Sequence, residues 1–286
     1  MPRLQDDMVA VLRHAGRRQN TEENYVREMR RFLRWLGHNK PLKVRRPEVV
    51  VYLEHLGKRS VPSRKMAHAA LRFFYVHVVN RPEVMAGIPW PRRKRSLRIG
   101  PCWADVAKLL DEVTHPVCRA VILVIVAAGL RISEACSLRV EDVQTERDQT
   151  GRKLDHGVLF VRDGKGGKTR FAPLSPTLTL ELRRYYAAER PQVHLFPNQL
   201  RTGHITHKTV RRELRKACVR AGFEKIVTPH ELRHTFGTTM LERGADLPTL
   251  QVVMGHDRLS TTSRYTHVRR DRIAAMPDLL EPPQRI

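Results

Sequence analysis

The sequence predicts a mainly α protein with a small antiparallel β-sheet, arranged as a helical N-terminal domain followed by a mixed α/β domain. Three observations carry this prediction. Apolar residues recur at helical spacing over most of the chain, residues 157–174 read as two short strands around an Asp-Gly and Gly-Gly turn, and a Pro-rich basic stretch separates the two regimes. At 286 residues the chain can form one large or two ordinary domains, each with its own core.

From Thr21, the residues Tyr25, Met29, Phe32, Leu33 and Leu36 fall on one helix face, with Asn20 or Thr21 available as N-cap. The opposite face carries Arg27, Arg30, Arg31 and Arg34, which either stay solvated or meet phosphates. Pro47 suits the first position of a second helix through Val50, Val51, Leu53 and Leu56. A third, from about Ser63 to Val79, turns Met66, Ala70, Phe73 and Phe74 inward and Arg64, Lys65 and Arg72 outward. These helices make up a domain over residues 1–88. Between Asn80 and Pro101 the chain holds Pro82, Pro89, Pro91 and Pro101 and the run Arg92, Arg93, Lys94 and Arg95. Prolines break helices and like charges repel, so the stretch predicts an extended interdomain linker, placed at residues 89–101.

The second domain, residues 102–270, opens with a helix near Trp103 to Val113. Val117 to Leu130 is apolar almost all round, which predicts a helix buried in the core, with Gly129 near its end and Arg131 directly after. A polar segment, Glu146 to Asp155, precedes two strands, Gly157 to Arg162 and Thr169 to Leu174, joined by Asp-Gly-Lys-Gly-Gly-Lys. Helices then run from Leu178 to Glu189, Lys208 to Ala221, Pro229 to Arg243 and Leu247 to Met254, and a short one holds Tyr265. His204, His207, Lys208, Arg211, Arg212 and Arg215 form a basic surface that is either a solvated helix or a nucleic-acid face.

The formal net charge of +24 implies a polyanionic partner, because neutralised phosphates release counterions and self-repulsion opposes a compact chain without one. Cys102, Cys118, Cys136 and Cys218 are scattered, with no C-x-x-C pair, and read as reduced, mostly buried thiols of a cytoplasmic protein. The N-terminus lacks the apolar region of a signal peptide, and the longest apolar run, Ala120 to Leu130, is far short of the roughly 20 residues that span a bilayer.

The chemistry concentrates between Val227 and Val268. His230-Glu231-Leu232-Arg233-His234 satisfies the zinc-protease pattern H-E-x-x-H, and Gly237 extends the match, but Met240 stands where a third His ligand is required. The same stretch, HELRH, then MGH, then SRYTH, resembles the catalytic core of the tyrosine recombinases, the phage integrase family. Upstream, AAGLRISE resembles the family's first-arginine box, with Arg131 as the arginine, and VRDGKGGKTRFAPL resembles its lysine hairpin, with Lys165 in the lysine position and Lys168 as the rival. The motifs cover roughly residues 100–268. Met254 replaces the commoner Leu before Gly-His.

The resemblance implies a core-binding domain and a catalytic domain that together form a clamp on DNA, with no cofactor and no metal. A phosphodiester's transition state gathers negative charge, which Arg131 and Arg233 can meet through planar forks of donors, with His256 adding another. Tyr265 would be the nucleophile, and its phenol, titrating near 10, needs a base, for which His230 is the candidate. Lys165 would protonate the departing 5′ oxygen, and Glu134 matches the acidic position that steadies the site. The partners implied are double-stranded DNA with an inverted-repeat core site, and a homotetramer on two duplexes or a heterotetramer with a related recombinase, working at the bacterial nucleoid. The closest wording is that of Xer-type recombinases, integron integrases and transposon-borne relatives. Candidate DNA contacts are Arg27, Arg30, Arg34, Arg64, Lys65, Arg92, Arg93, Lys94, Arg95, Arg211 and Arg212. In the tail, residues 271–286, Asp271 to Ala275, Leu279 and Leu280 are the candidate docking residues on a neighbouring protomer. A type IB topoisomerase uses a similar residue set, and a non-catalytic DNA-binding protein is the plainest alternative.

Overall fold

The structure, a computed structural model, describes residues 2–37, 40–92, 100–147, 153–162, 169–255, 273 and 276–280. Two compact units divide between Ser96 and Leu97. The first contains α1 (Pro2–His14), α2 (Gln19–Leu36), α3 (Arg46–His55) and α4 (Val61–Phe73), and α4 continues into a π-helical turn, Phe74–Val78. α2 starts ahead of the expected caps Asn20 and Thr21, with the extended residue Arg18 at the N-cap and no side-chain cap. The tight exit from α1 explains the early start. Gly16 takes a left-handed φ of 64°, which glycine adopts without steric cost, and the N–H groups of Gly16 and Arg17 return to the carbonyls of Arg13 and Leu12.

α2 buries Met29, Phe32 and Leu33 and packs on α4, while Arg27, Arg30, Arg31 and Arg34 lie exposed on its other side. Met66 and Phe73 are only half-buried; Ala67 and Leu71 take the inward positions with Ala70 and Phe74. Arg64, expected outward, is also half-buried, whereas Lys65 and Arg72 are exposed. Residues 82–88 belong to this helical core: Pro82–Val84 forms a 3-10 turn, Val84 and Met85 are buried, and Ile88 packs against the same cluster. Trp90 follows, its ring 4.1 Å from that of the buried His68.

The second unit runs α5 (Trp103–Asp111), α6 (Pro116–Ala128), α7 (Ile132–Ser137), β1 (Val143–Arg147), β2 (Lys153–Val161), β3 (Arg170–Leu174), α8 (Pro176–Glu189), α9 (His207–Arg220), α10 (Pro229–Glu242) and α11 (Leu247–Met254). α6 buries every residue from Val117 to Ala128 except Arg119 and is packed by α8, α9 and α10, so it forms the axis of the unit. Each such buried aliphatic side chain contributes ~1.5–3 kcal/mol. The sheet is antiparallel in the order β1-β2-β3, with Val161 opposite Arg170 and Gly157 opposite Leu174. β1 was not foreseen and its last two residues, Glu146 and Arg147, fall in the expected polar segment; β2 begins at Lys153, four residues early. Gly157 permits the pairing: a Cβ there would lie 2.2 Å from the carbonyl oxygen of Gln144.

β3 and α10 both pack against α11. Ile273, Met276 and Leu279 are buried in a cluster with Phe236, Met240 and Val253 of the same chain, so Leu279 is taken up in its own core rather than presented to a neighbour. Cys118, Cys136 and Cys218 are buried, and burial pushes the first two thiols up to about 12; Cys102, beside Asp105 at the start of α5, is exposed. Among the described residues no helix is long and apolar enough to cross a membrane.

Candidate active site

α6 ends at Gly129, whose φ of 65° closes the helix and whose missing Cβ admits Phe236 of α10, since a Cβ there would stand 2.4 Å from the ring. The chain then turns extended at Arg131, the N-cap of α7. Glu134, in the first turn of α7, accepts the Arg131 backbone N–H at 2.8 Å and its Nη1 at 2.7 Å. The same carboxylate accepts Nη1 and Nη2 of Arg170, at the start of β3, at 2.9 and 2.7 Å. Arg233, one helical turn after His230 in α10, brings its Nη1 to 3.7 Å from Glu134 and donates it to the Gly129 carbonyl at 2.7 Å. Three guanidinium groups thus gather on one carboxylate.

A second set of bonds ties this cluster to α11. Arg170 Nε donates to the carbonyl of Val253 at 2.6 Å, Arg233 Nη2 to that of Met254, and Arg131 Nη2 to that of Gly255 at 2.7 Å. The last carbonyls of a helix have no partner within it. Here three consecutive ones are each met by a different arginine, and the positive charge suits the negative end of the helix dipole.

The Glu134 carboxyl is held down to about 2: burial opposes its ionisation, but the Arg170 bonds and charge, followed by the Arg131 bonds, outweigh it. Burial and the neighbouring Arg131 and Arg170 lower Arg233 to about 10, so it stays protonated at neutral pH. The Glu134 shift favours folding and the Arg233 shift opposes it, so the charges of the cluster work against one another in stability while holding one another in place. Three cations against one anion leave an excess of positive charge where Arg131 remains 27% exposed.

The structure brings Arg131, Glu134 and Arg233 together as a group. His230 is exposed on the first turn of α10. Glu231, the base in a zinc-protease reading, instead accepts the Thr228 N–H at 2.8 Å and its hydroxyl at 2.7 Å, serving as the helix cap. No group of three or more His, Cys, Asp or Glu able to hold a metal occurs among the described residues. Lys165, Lys168, His256 and Tyr265 lie outside the described residues, as do Arg93, Lys94 and Arg95.

Residues 104–272 match the phage integrase family and residues 4–83 match the phage integrase N-terminal SAM-like domain. An integrase/recombinase by name, y4qK of Sinorhizobium fredii, is 36% identical over 260 residues, covering 90% of this chain and 81% of its own. The tyrosine recombinase XerA of Thermococcus kodakarensis is 32% identical over 260 residues, covering 88% and 86%. The chain belongs to the phage integrase family, the tyrosine recombinases. The fold is also that of a lambda integrase dimer bound to a COC′ core site, with a TM-score of 0.73 at 18% identity, covering 98% of this chain and 99% of that one.

Within this recombinase, sequence reasoning missed Arg170. It is the second arginine of the stretch VRDGKGGKTRFAPL, two residues after Lys168, so it lay within the quoted motif, but nothing local shows that a strand residue will reach Glu134. The candidate DNA contacts divide by surroundings. Arg30 donates to Gln5 at 3.0 and 2.9 Å and Arg27 to Asn24; Arg34, Lys65, Arg92, Arg211 and Arg212 are exposed; Arg64 has a buried Nε without a partner.

Proposed function

We propose that this tyrosine recombinase cleaves and rejoins DNA strands with Tyr265 as nucleophile, Arg131 and Arg233 as the clamp on the scissile phosphate, and His230, Lys165 and His256 as the groups that move or donate protons. It is an enzyme of site-specific recombination, the class to which its family belongs. The observation that carries the mechanism is the fixed pair Arg131 and Arg233, held by one carboxylate and the end of one helix.

In this reading the phosphodiester sits against the two guanidiniums, which meet charge as it builds on the non-bridging oxygens. The Tyr265 oxygen attacks phosphorus and gives its proton to His230. The bond to the 5′ oxygen breaks, that oxygen takes a proton from Lys165, and the 3′ phosphate remains on Tyr265. The ester energy is retained, so a 5′ hydroxyl from a second duplex reverses the step without ATP. Fixed cations meet the charge, so the step requires no metal. Four protomers on two duplexes with inverted-repeat core sites, passing through a Holliday junction, complete the exchange. One solved neighbour is a lambda integrase tetramer bound to a Holliday junction, which supports this reading. The candidate contacts from the first unit and from α9 meet the DNA backbone, and the protein works in the cytoplasm at the nucleoid.

The test is trapping on a nicked duplex, with its binding site first selected from random-sequence DNA, in the presence of a chelator. Wild type gives a protein–DNA adduct on a denaturing gel, and Tyr265→Phe gives none while binding the duplex equally. Bound DNA with no adduct in wild type would refute strand cleavage and leave a DNA-binding protein.

A further inference from the structure

We propose that Arg170 is a positioning residue for strand cleavage: it locks Glu134 and the end of α11 into one unit and through them aims Arg131 and Arg233 at the scissile phosphate. The inference rests on the recombinase reading above. Arg170 is only 7% exposed, and its Nε and both Nη atoms each donate within the protein, two bonds going to Glu134 and one to Val253. Three of its five N–H groups are thus committed to the partners through which it acts.

Those partners are shared with the clamp. Glu134 Oε1 accepts from both Arg170 and Arg131, and Oε2 accepts from Arg170 and from the Arg131 backbone while facing Arg233 at 3.7 Å. At the other end, Arg170 takes the first of three consecutive carbonyls, and Arg233 and Arg131 take the next two. Gly255 shows how close the fit is. With a φ of 59°, a Cβ there would stand 3.3 Å from Arg170 Nε and 3.4 Å from Arg131 Nη1. Residue 256, the proposed donor His256, follows directly. Losing Arg170 would leave Glu134 buried against a smaller positive charge and Val253 without its partner, so both ends of the clamp's support would shift together. A misplacement of about 1 Å at such a site costs ~10²-fold in rate.

The experiment measures single-turnover adduct formation on the nicked duplex at several pH values, together with duplex affinity and thermal melting, for wild type, Arg170→Gln and Arg170→Lys. Arg170→Gln is expected to cleave ~10²-fold more slowly at unchanged affinity. Removing the cation that does most to hold Glu134 ionised raises its pKa, so the wild-type to variant rate ratio should grow as pH falls from about 8 to 5. Arg170→Lys keeps a charge beside Glu134 and should show a smaller loss with a flat ratio. A flat ratio for Arg170→Gln, or a rate loss matched by lost affinity, would overturn the role. Should Arg170→Gln fail to melt cooperatively, Arg170→Lys decides alone: reduced rate at intact affinity supports the role, and full rate overturns it. Wild type without an adduct refutes strand cleavage itself and this inference with it, whereas a wild-type adduct equalled by both variants refutes only Arg170.

Discussion

Two arginine–carboxylate clusters bracket α7, and their local wiring is the same. At its start Glu134 accepts the backbone N–H of Arg131, three residues earlier; just beyond its end Asp142 accepts that of Arg139 at 2.9 Å, also three residues earlier. Each carboxylate also takes a guanidinium from the sheet, Arg170 of β3 in the first case and Arg162, following β2, in the second, the latter at 2.7 Å. They differ in balance and in burial. Around Asp142, Arg139 and Arg162 meet two acids, because Glu141 joins at 3.4 and 2.9 Å, and Arg162 is 42% exposed. Around Glu134 three arginines share one acid, and Arg233 is 3% exposed. A neutral, wetted cluster fastens elements together; a buried cluster with surplus charge can also receive an anion.

The sharpest break in this comparison is removal of the shared acid. Glu134→Gln leaves three guanidiniums facing one another and should destabilise the protein by ~3–5 kcal/mol in urea unfolding, against ~1–2 kcal/mol for Asp142→Asn. Next, Arg233→Gln should lower single-turnover cleavage by ~10²–10³-fold, while Arg162→Gln leaves the rate close to wild type in the same trapping assay.

A pH series separates the clusters further. Glu134 titrates at about 2 in the folded protein, below the ordinary 4.5, so its contribution is complete above pH 4.5 and disappears as pH falls towards 2. Wild type should lose ~3 kcal/mol from this group across that window, a component absent from the unfolding of Glu134→Gln. The smallest effect is expected at Arg162→Ala, which should cost about 1 kcal/mol or less, as for other half-exposed ion pairs.

Legibility in the sequence followed the range of the forces involved. α6, α10 and α11 were readable because apolar pattern, Gly and Pro mark them locally. β1 was not, because its Gln-Thr-Glu-Arg run has no apolar face and is held by backbone pairing to β2. α7 is a six-residue helix whose first turn is organised by Arg131 and Glu134, too short to show a period. Arg131, Glu134 and Arg233 were found through motif wording, since they lie in two separate stretches, AAGLRISE and HELRH; their common dependence on Arg170 and on the carbonyls of α11 exists only in three dimensions.

The cysteines carry a consequence of another kind. Cys118, Cys136 and Cys218 sit inside the α-helical core, and burial raises all three thiols, which keeps them from forming the reactive thiolate. Cys102 alone meets solvent, one residue after Pro101, whose carbonyl accepts from Thr235 of α10 at 2.9 Å. The native chain therefore carries a single addressable labelling point, fastened two residues along α10 from Arg233. A maleimide dye should react once per folded molecule and four times once it is unfolded, so fluorescence from an unmutated protein can follow that helix as DNA is bound.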